Sequence, residues 1–399
     1  MGVNVFPAAS GGASYSSQPP ASASSVLLDG QLVTASSIST TLTGTGAPWL
    51  LYANGAGTTT ITIAGTAYTV TAGSTVGTSA YTGSQSVGVT TTATAPATFT
   101  ASTMPSASAW QTATYGNGYY VAVAGSGTAG AYSTNGTTWT ASTMPSSASW
   151  QSVTYGNGYY VAVAYTTVSA YSTNGTTWTA STMPSSATWT SVAYGLIGAT
   201  NYYVAVSYGP STAGAYSTNG TSWTASTLPS SSNWLGVTYG NGYFVAVALS
   251  TTAGAYSTNG TTWTASTMSS AAPWQAVAYG LIGATNYYVA VSSSSSGSYS
   301  TNGSTWTAST MPSAWNWYGV TYGNGYFVAV QGTGIAAVGA YSTNGTTWTA
   351  NTMPSAASYK SIIYGNNYFV AVGFSAGAYF AQTLFPVAYG IYNGATVRA

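Results

Sequence analysis

The eight letters YSTNGTTW (132–139) recur unchanged from Tyr171, Tyr256 and Tyr341, and near copies begin at Tyr216 (YSTNGTSW) and Tyr299 (YSTNGSTW). Successive copies stand 39, 45, 40, 43 and 42 residues apart. A second phrase, YGNGYYVAVA (115–124), returns in exact or varied form from Tyr155, Tyr194, Tyr239, Tyr279, Tyr322 and Tyr364. A Trp precedes that Tyr by five residues at Trp110, Trp150, Trp189, Trp234, Trp274 and Trp317, and Tyr359 takes its place in the seventh unit. Seven tandem units of about 40 residues leave few folds open, because each unit must bury its apolar face on its neighbours.

Each unit reads as four short strands, a to d. In the second, WQSVTYG (150–156) is strand a and YYVAVA (159–164) is strand b, rich in aromatic and β-branched residues. The Asn-Gly between them predicts a tight hairpin, since both residues accept positive φ. SAYST (169–173) is strand c, and a second Asn-Gly leads into TTWTAS (176–181), strand d. Pro184 cannot donate a ladder hydrogen bond and belongs in the connection to the next unit. Four strands per unit predict an all-β chain whose main body is a seven-bladed β-propeller. Helical solenoids are excluded by the lack of a 3.6-residue period, and separate sandwiches by the short repeat. Two segments compete for the fourth strand of the last blade. One is ATFTASTMP (97–105), where Phe99 aligns with the box Trp; the other is GAYFAQTLFPV (377–387), a degraded box in which Phe385 falls near the place of Trp348. The first is preferred, because it runs into the repeat phrase TASTMPS without a break.

The box STNGTTW (133–139) resembles a compressed Asp-box, or BNR, repeat of sialidase-like propellers, with Asn for Asp and one residue fewer before Gly. The longer phrase, from STNGTTWTAS to VTYGNGYYVAV, is similar to repeats in tail-fibre and appendage proteins of tailed bacteriophages. The resemblance covers about 97–385. It implies that the box lies at the c–d turn, with Asn135, Asn174, Asn219, Asn259, Asn302 and Asn344 capping backbone amides. It also implies that Trp139, Trp178, Trp223, Trp263, Trp306 and Trp348 pack between sheets. An Asn retains the carbonyl oxygen that an Asx-turn needs. Sialidase chemistry does not carry over, since it needs an arginine cluster and acidic partners. The chain has one Arg, at position 398, and no Glu.

Charge is almost absent. Asp29, Lys360 and Arg398 are the only formally charged side chains in 399 residues, and there is no His or Cys. One carboxylate and no imidazole make neither a catalytic dyad nor a triad, and no thiol is present as nucleophile or zinc ligand. No enzymatic activity, metal or cofactor is therefore expected. Two distant cations do not neutralise a nucleic-acid backbone, so nucleic acid is not an expected partner. No apolar run approaches the roughly 20 residues of a membrane helix, and no membrane partner is expected. The start, MGVNVFPAAS, lacks the basic and apolar regions of a standard signal peptide. Each box also matches N-x-[S/T], which is read here as turn chemistry in preference to glycosylation.

Candidate contacts come from the loops. The b–c loops vary most from unit to unit, and on the b–c face Tyr165, Tyr208 and Gln331 are the candidate glycan contacts. The Tyr-rich b strands are read as packing between blades in preference to a sugar platform. In units three and five, LIGATN (196–201 and 281–286) replaces the tight turn, as a subunit contact or as a loop folded over its own blade.

The expected layout is an extended Ser/Ala/Pro-rich arm (1–25), a small β attachment domain (26–95), the propeller (96–386) and a C-terminal tail (387–399). Together these lead to the expectation of a structural virion protein of a tailed bacteriophage: a fibre, appendage or capsid-decorating subunit on the particle surface. Residues 1–95 would bind other virion proteins, copies would associate in an assembly, and the propeller would face host-surface glycans. The alternative expectation is a lectin-like secreted or cell-surface adhesin.

Overall fold

The computed structural model describes residues 25–28, 31–34, 37–54, 58–71, 75–91, 95–334, 336–374, 376–381 and 388–392. The chain divides into two compact units, one of residues 95–382 and one of 1–94 with 383–399.

The repeats make up the first of these, and the fourth illustrates them. Strands Trp234–Gly240, Tyr243–Ala248, Thr251–Ser257 and Thr264–Ala272 pair antiparallel in chain order, a to d. At the a–b turn Asn241 and Gly242 have φ of 45° and 81°, the positive pair that a two-residue hairpin requires. Strand b is buried on both faces, with Phe244, Val245, Ala246, Val247 and Ala248 all inaccessible. Such a strand has to be covered by sheets on either side, which is what a radial arrangement supplies. The reading of the aromatic b strands as packing agrees with this burial.

The strand-a Trp is an anchor within its own unit. Trp234 is fully buried and its indole Nε1–H donates to the Ser230 carbonyl at 3.2 Å. Where Tyr359 replaces Trp, its hydroxyl lies 3.1 Å from the Ser355 hydroxyl, the corresponding place. The box Trp residues behave differently. Their six indole N–H groups find no acceptor among the described residues, so they serve as apolar plates. Phe99, which takes that place in the seventh unit, is 3% exposed and has no such group to satisfy.

In the box, one Asn oxygen closes the c–d turn. Asn259 Oδ1 accepts from Thr261 N at 2.9 Å, Thr262 N at 2.8 Å and Thr262 Oγ1 at 3.1 Å. Ser257 Oγ accepts from Gly260 N at 2.9 Å, and the same pattern recurs at the other five boxes. Replacing Asn259 by Ala is expected to cost about 1–2 kcal/mol, the net worth of the acceptor at a solvated turn. Asn259→Asp keeps the acceptor and is expected to stay within about 0.5 kcal/mol of the parent. Denaturant titration of the two variants checks both values.

Neighbouring units interlock through glycine. A Cβ on Gly240 would lie 1.9 Å from the ring of Tyr279 in the next unit, so only the bare backbone admits that ring. The same contact closes the circle, where the ring of Tyr115 in the first unit sits over Gly365 of the seventh. Tyr120, Tyr160, Tyr203 and Tyr288 on the b strands add hydroxyl donation to the carbonyls of Gly365, Gly116, Gly156 and Gly240 of the preceding unit.

Counted as hydrogen-bonded sheets, the ring has six blades and not the seven expected. Five sheets have four strands, while units two and three share one of six. The cause is local. Strands b and c of unit two form one long run, Tyr159–Ser172, and Tyr165 and Thr166 at its bend pair with Thr188 and Ala187 in the connection. That pairing carries the connection into a single strand, Thr179–Ile197, which then pairs with Thr200–Tyr208 of unit three. Pro184 stands in the stretch of this strand that has no ladder partner.

The last sheet takes its fourth strand from the other end of the repeats. Thr100–Ser102 pairs with Gly377, Ala378 and Tyr379. Phe385, the competing candidate, lies outside the described residues. LIGATN is not a loop folded over its own blade. It lengthens the hairpin, with Leu196 paired to Asn201 and Ile197 to Thr200. Leu196 is 49% exposed, while Ile197 packs against the core of unit four.

In the other unit a five-stranded sheet has the order Ala388–Tyr392, Ser37–Asn54, Thr75–Thr91, Thr58–Ile63, Thr66–Thr71. A hairpin of Ser25–Leu28 and Gln31–Thr34 completes it. Residues 388–392, expected within a tail, instead supply an edge strand paired with Leu50 to Asn54. The expected arm falls, but for Ser25, outside the described residues.

Candidate functional site

The residue after the strand-a Trp is the one that the repeat treats differently from its neighbours. In all seven units the ladder between strands a and b slips at that residue, for example between Trp110 and Thr112 and between Tyr359 and Ser361. Such a β-bulge re-aims a side chain and is a recurrent device beside binding sites. The bulged residues are Gln111, Gln151, Thr190, Leu235, Gln275, Tyr318 and Lys360, and all seven are half-buried. They line one cavity of about 350 Å³ at a mouth of the channel between the a strands. A second cavity of about 360 Å³ is lined by residues further along the same strands, including Val153, Tyr239 and Ile363.

Beneath the bulges, hydroxyl groups tie neighbouring a strands together. Ser152 Oγ accepts from Val192 N at 3.1 Å, Ser191 Oγ accepts from Val237 N at 3.2 Å, and Thr190 Oγ1 donates to the Trp234 carbonyl at 2.8 Å. The floor of the site is therefore braced. Three of the seven rim residues are amides. Gln151 Nε2 donates to Ser149 Oγ at 2.8 Å and Gln275 Nε2 to Ser293 Oγ at 2.6 Å. Gln111 makes no hydrogen bond among the described residues.

Lys360 is the one formally charged side chain among the described residues. Its Nζ stands 3.7 Å from the centroid of the Tyr318 ring, a cation–π contact. A Cβ on Gly332 would come within 2.4 Å of the Tyr318 ring, so that ring lies against bare backbone and holds its position. Burial lowers the Lys360 pKa from its ordinary value. Neither a carboxylate nor any other hydrogen-bond acceptor meets the ammonium among the described residues.

Of the three loop candidates, the structure brings one to this mouth. Tyr165 lines the cavity and is 38% exposed; burial, with the neighbouring Tyr208 phenol, raises its pKa. Tyr208 is 40% exposed and outside the lining. Gln331 is a correction: it is fully buried. Its Oε1 accepts from Thr333 N at 3.0 Å and Thr333 Oγ1 at 2.7 Å, and its Nε2 donates to the Ala336 carbonyl. It pins its own b–c loop and offers nothing outward. The bulged ring went unread in the sequence although a signal was there. Between the recurrent Trp and Tyr-Gly of strand a, this position varies most in size and polarity, reading Gln, Gln, Thr, Leu, Gln, Tyr, Lys.

No family model and no curated protein matches the chain. Solved structures do. A streptogramin B lyase aligns with a TM-score of 0.63 at 11% identity over 71% of this chain and 97% of its own. Virginiamycin B lyase from Staphylococcus aureus aligns at 0.62, 10%, 70% and 98%. YCF48 from Cyanidioschyzon merolae gives 0.55, 13%, 71% and 98%. The fold is a β-propeller. At such low identity the likeness extends to architecture alone, and the propeller's chemistry has to come from its own residues.

Proposed function

We propose that this propeller is a non-catalytic structural subunit of a tailed-bacteriophage virion, a fibre, appendage or capsid decoration that presents a neutral surface and contacts host-surface glycans. The observation that carries this reading is the pairing of a rigid, repeat-built ring with a single charged side chain among its described residues. A surface of this kind responds little to salt and to pH between about 5 and 9. Net charge near zero favours self-association, which suits a subunit that assembles. Support for the phage setting is the likeness of the repeat phrase to tail-fibre repeats, with the box as an Asp-box variant. In this reading the six sheets hold seven blades, two of them joined through Thr179–Ile197. Residues 1–95 bind other virion proteins.

A lyase reading lacks its chemistry. One of the virginiamycin B lyase structures is of a catalytically inactive histidine-to-alanine variant, and this chain has no His. Antibody raised against residues 95–382 is expected to label purified particles from the producing culture, with the chain present in their peptide digest. Label confined to the cell envelope, or absent from particles, would refute the virion role and favour the adhesin.

A further inference from the structure

Lys360 is the feature that the neutral-scaffold reading does not absorb. A chain that carries almost no charge places its one Lys at the bulge position of the channel mouth, half-buried and with no anionic partner among the described residues. Taking an ammonium partly out of water is costly unless something compensates it. The Tyr318 ring compensates one side only. In ring order the other neighbour of Lys360 is Gln111, the glutamine without a hydrogen bond among the described residues. The cation and this amide thus come from neighbouring units and line the same cavity of about 350 Å³, within the range of small-molecule sites.

We propose that this mouth is a carbohydrate site selective for acidic sugars, with Lys360 receiving a single carboxylate and Gln111, Gln151 and Gln275 hydrogen-bonding the hydroxyl groups. The proposal deepens the glycan-contact part of the reading above and rests on it. One ammonium matches one negative charge. A phosphate dianion carries a second charge for which the described residues supply no further cation, since no Arg lies among them. Amides donate and accept from one planar group, which suits hydroxyls that do both. Tyr165 supplies an aromatic face at the rim.

Calorimetric titration of the full chain at pH 7 and low salt is the test. The probes are methyl glucuronide, the methyl glycoside of N-acetylneuraminic acid, methyl glucoside and inorganic phosphate. At least one acidic sugar is expected to saturate the protein in the millimolar range or tighter, with the neutral glucoside much weaker. Lys360→Gln is expected to weaken the acidic sugar by about 10- to 100-fold, the usual worth of a charge-assisted hydrogen bond, and Gln111→Ala by less. Raising the salt should weaken binding to the parent but not the residual binding of Lys360→Gln. Thermal melting of the variant confirms that it remains folded. No saturable binding of either acidic sugar overturns the proposal, as does unchanged affinity in folded Lys360→Gln. Phosphate binding as tightly as the sugars would mean a plain anion site and overturns it too. Failure of any of these leaves the particle-labelling result untouched, so the two readings fail separately.

Discussion

A chain cut to residues 95–382 is expected to fold into a closed, monomeric ring, while one cut to 105–382 is expected to lose more than about 10 °C in melting temperature and to self-associate. The ten residues between them close the circle. Thr100–Ser102 completes the last sheet, and without it Ala376–Ala381 becomes an open edge. Phe99 and Met104 are 3% and 6% exposed, and the Phe99 ring lies 5.9 Å from that of Phe380. Removing one buried aromatic and one buried thioether side chain costs about 5–10 kcal/mol at typical core values. The segment is also tied to unit six. Phe99 N donates to the Thr352 carbonyl at 2.8 Å, Thr352 N to the Ala97 carbonyl at 2.9 Å and Asn351 Nδ2 to the Pro96 carbonyl at 2.8 Å. For a domain of this size each kcal/mol moves the melting temperature by roughly 2–4 °C. Calorimetry and size-exclusion chromatography of the two chains decide the matter; equal melting temperatures and equal elution as monomers would show that the clasp is dispensable.

Alkali is expected to unfold the ring abruptly above pH 10, after a nearly flat stability profile through neutral pH. Burial raises the phenol pKa values of Tyr120, Tyr160, Tyr203 and Tyr288 far above 10.0, and that of Tyr364 to about 12. Below pH 10 these phenols are protonated in both states, and their contribution to stability is whole. Above it the unfolded chain releases its protons first, so stability falls by about 1.4 kcal/mol per phenol per pH unit until the folded pKa is passed. The first four hydroxyls also donate to glycine carbonyls of the preceding unit, which a phenolate cannot do. Phe244, Phe327 and Phe369 take the same b-strand position in units four, six and seven, so Phe fits there. Converting the four tyrosines to Phe is expected to cost about 1 kcal/mol each at neutral pH and to move the alkaline midpoint upward. Circular dichroism and phenolate absorbance followed together against pH check this. A native spectrum persisting at pH 12, or an unmoved midpoint in the Phe variant, would contradict it.

Much of the ring was legible because repetition converts packing into pattern. Trp234 and its equivalents, the Asn241–Gly242 turn and the Asn259 box each follow from a local rule that recurs in most units. Phe99 could be aligned with the box Trp because the phrase after it is the same. The merging of units two and three was not legible, since it depends on whether Tyr165 and Thr166 reach Ala187 and Thr188. That contact joins residues twenty-odd positions apart, and no short-range rule specifies it. Gln331 was misread for a related reason. A polar residue at a variable loop looks available, but a buried side chain with its amide engaged at both ends is structural.

The sequence by itself determined an all-β ring of repeated four-stranded units, a neutral surface, the lack of imidazole and thiol chemistry, and the lone Lys of the chain. These are properties of composition and period, and they hold however the units pack. Tertiary structure alone decided where that Lys stands. A bulge shifts each ladder by one residue, and closure of the ring brings seven such residues, about 40 positions apart in the chain, to one mouth. Proximity created by closing a circle leaves no trace in local sequence, so the mouth that Lys360, Tyr318 and Gln111 line together could be found only in three dimensions.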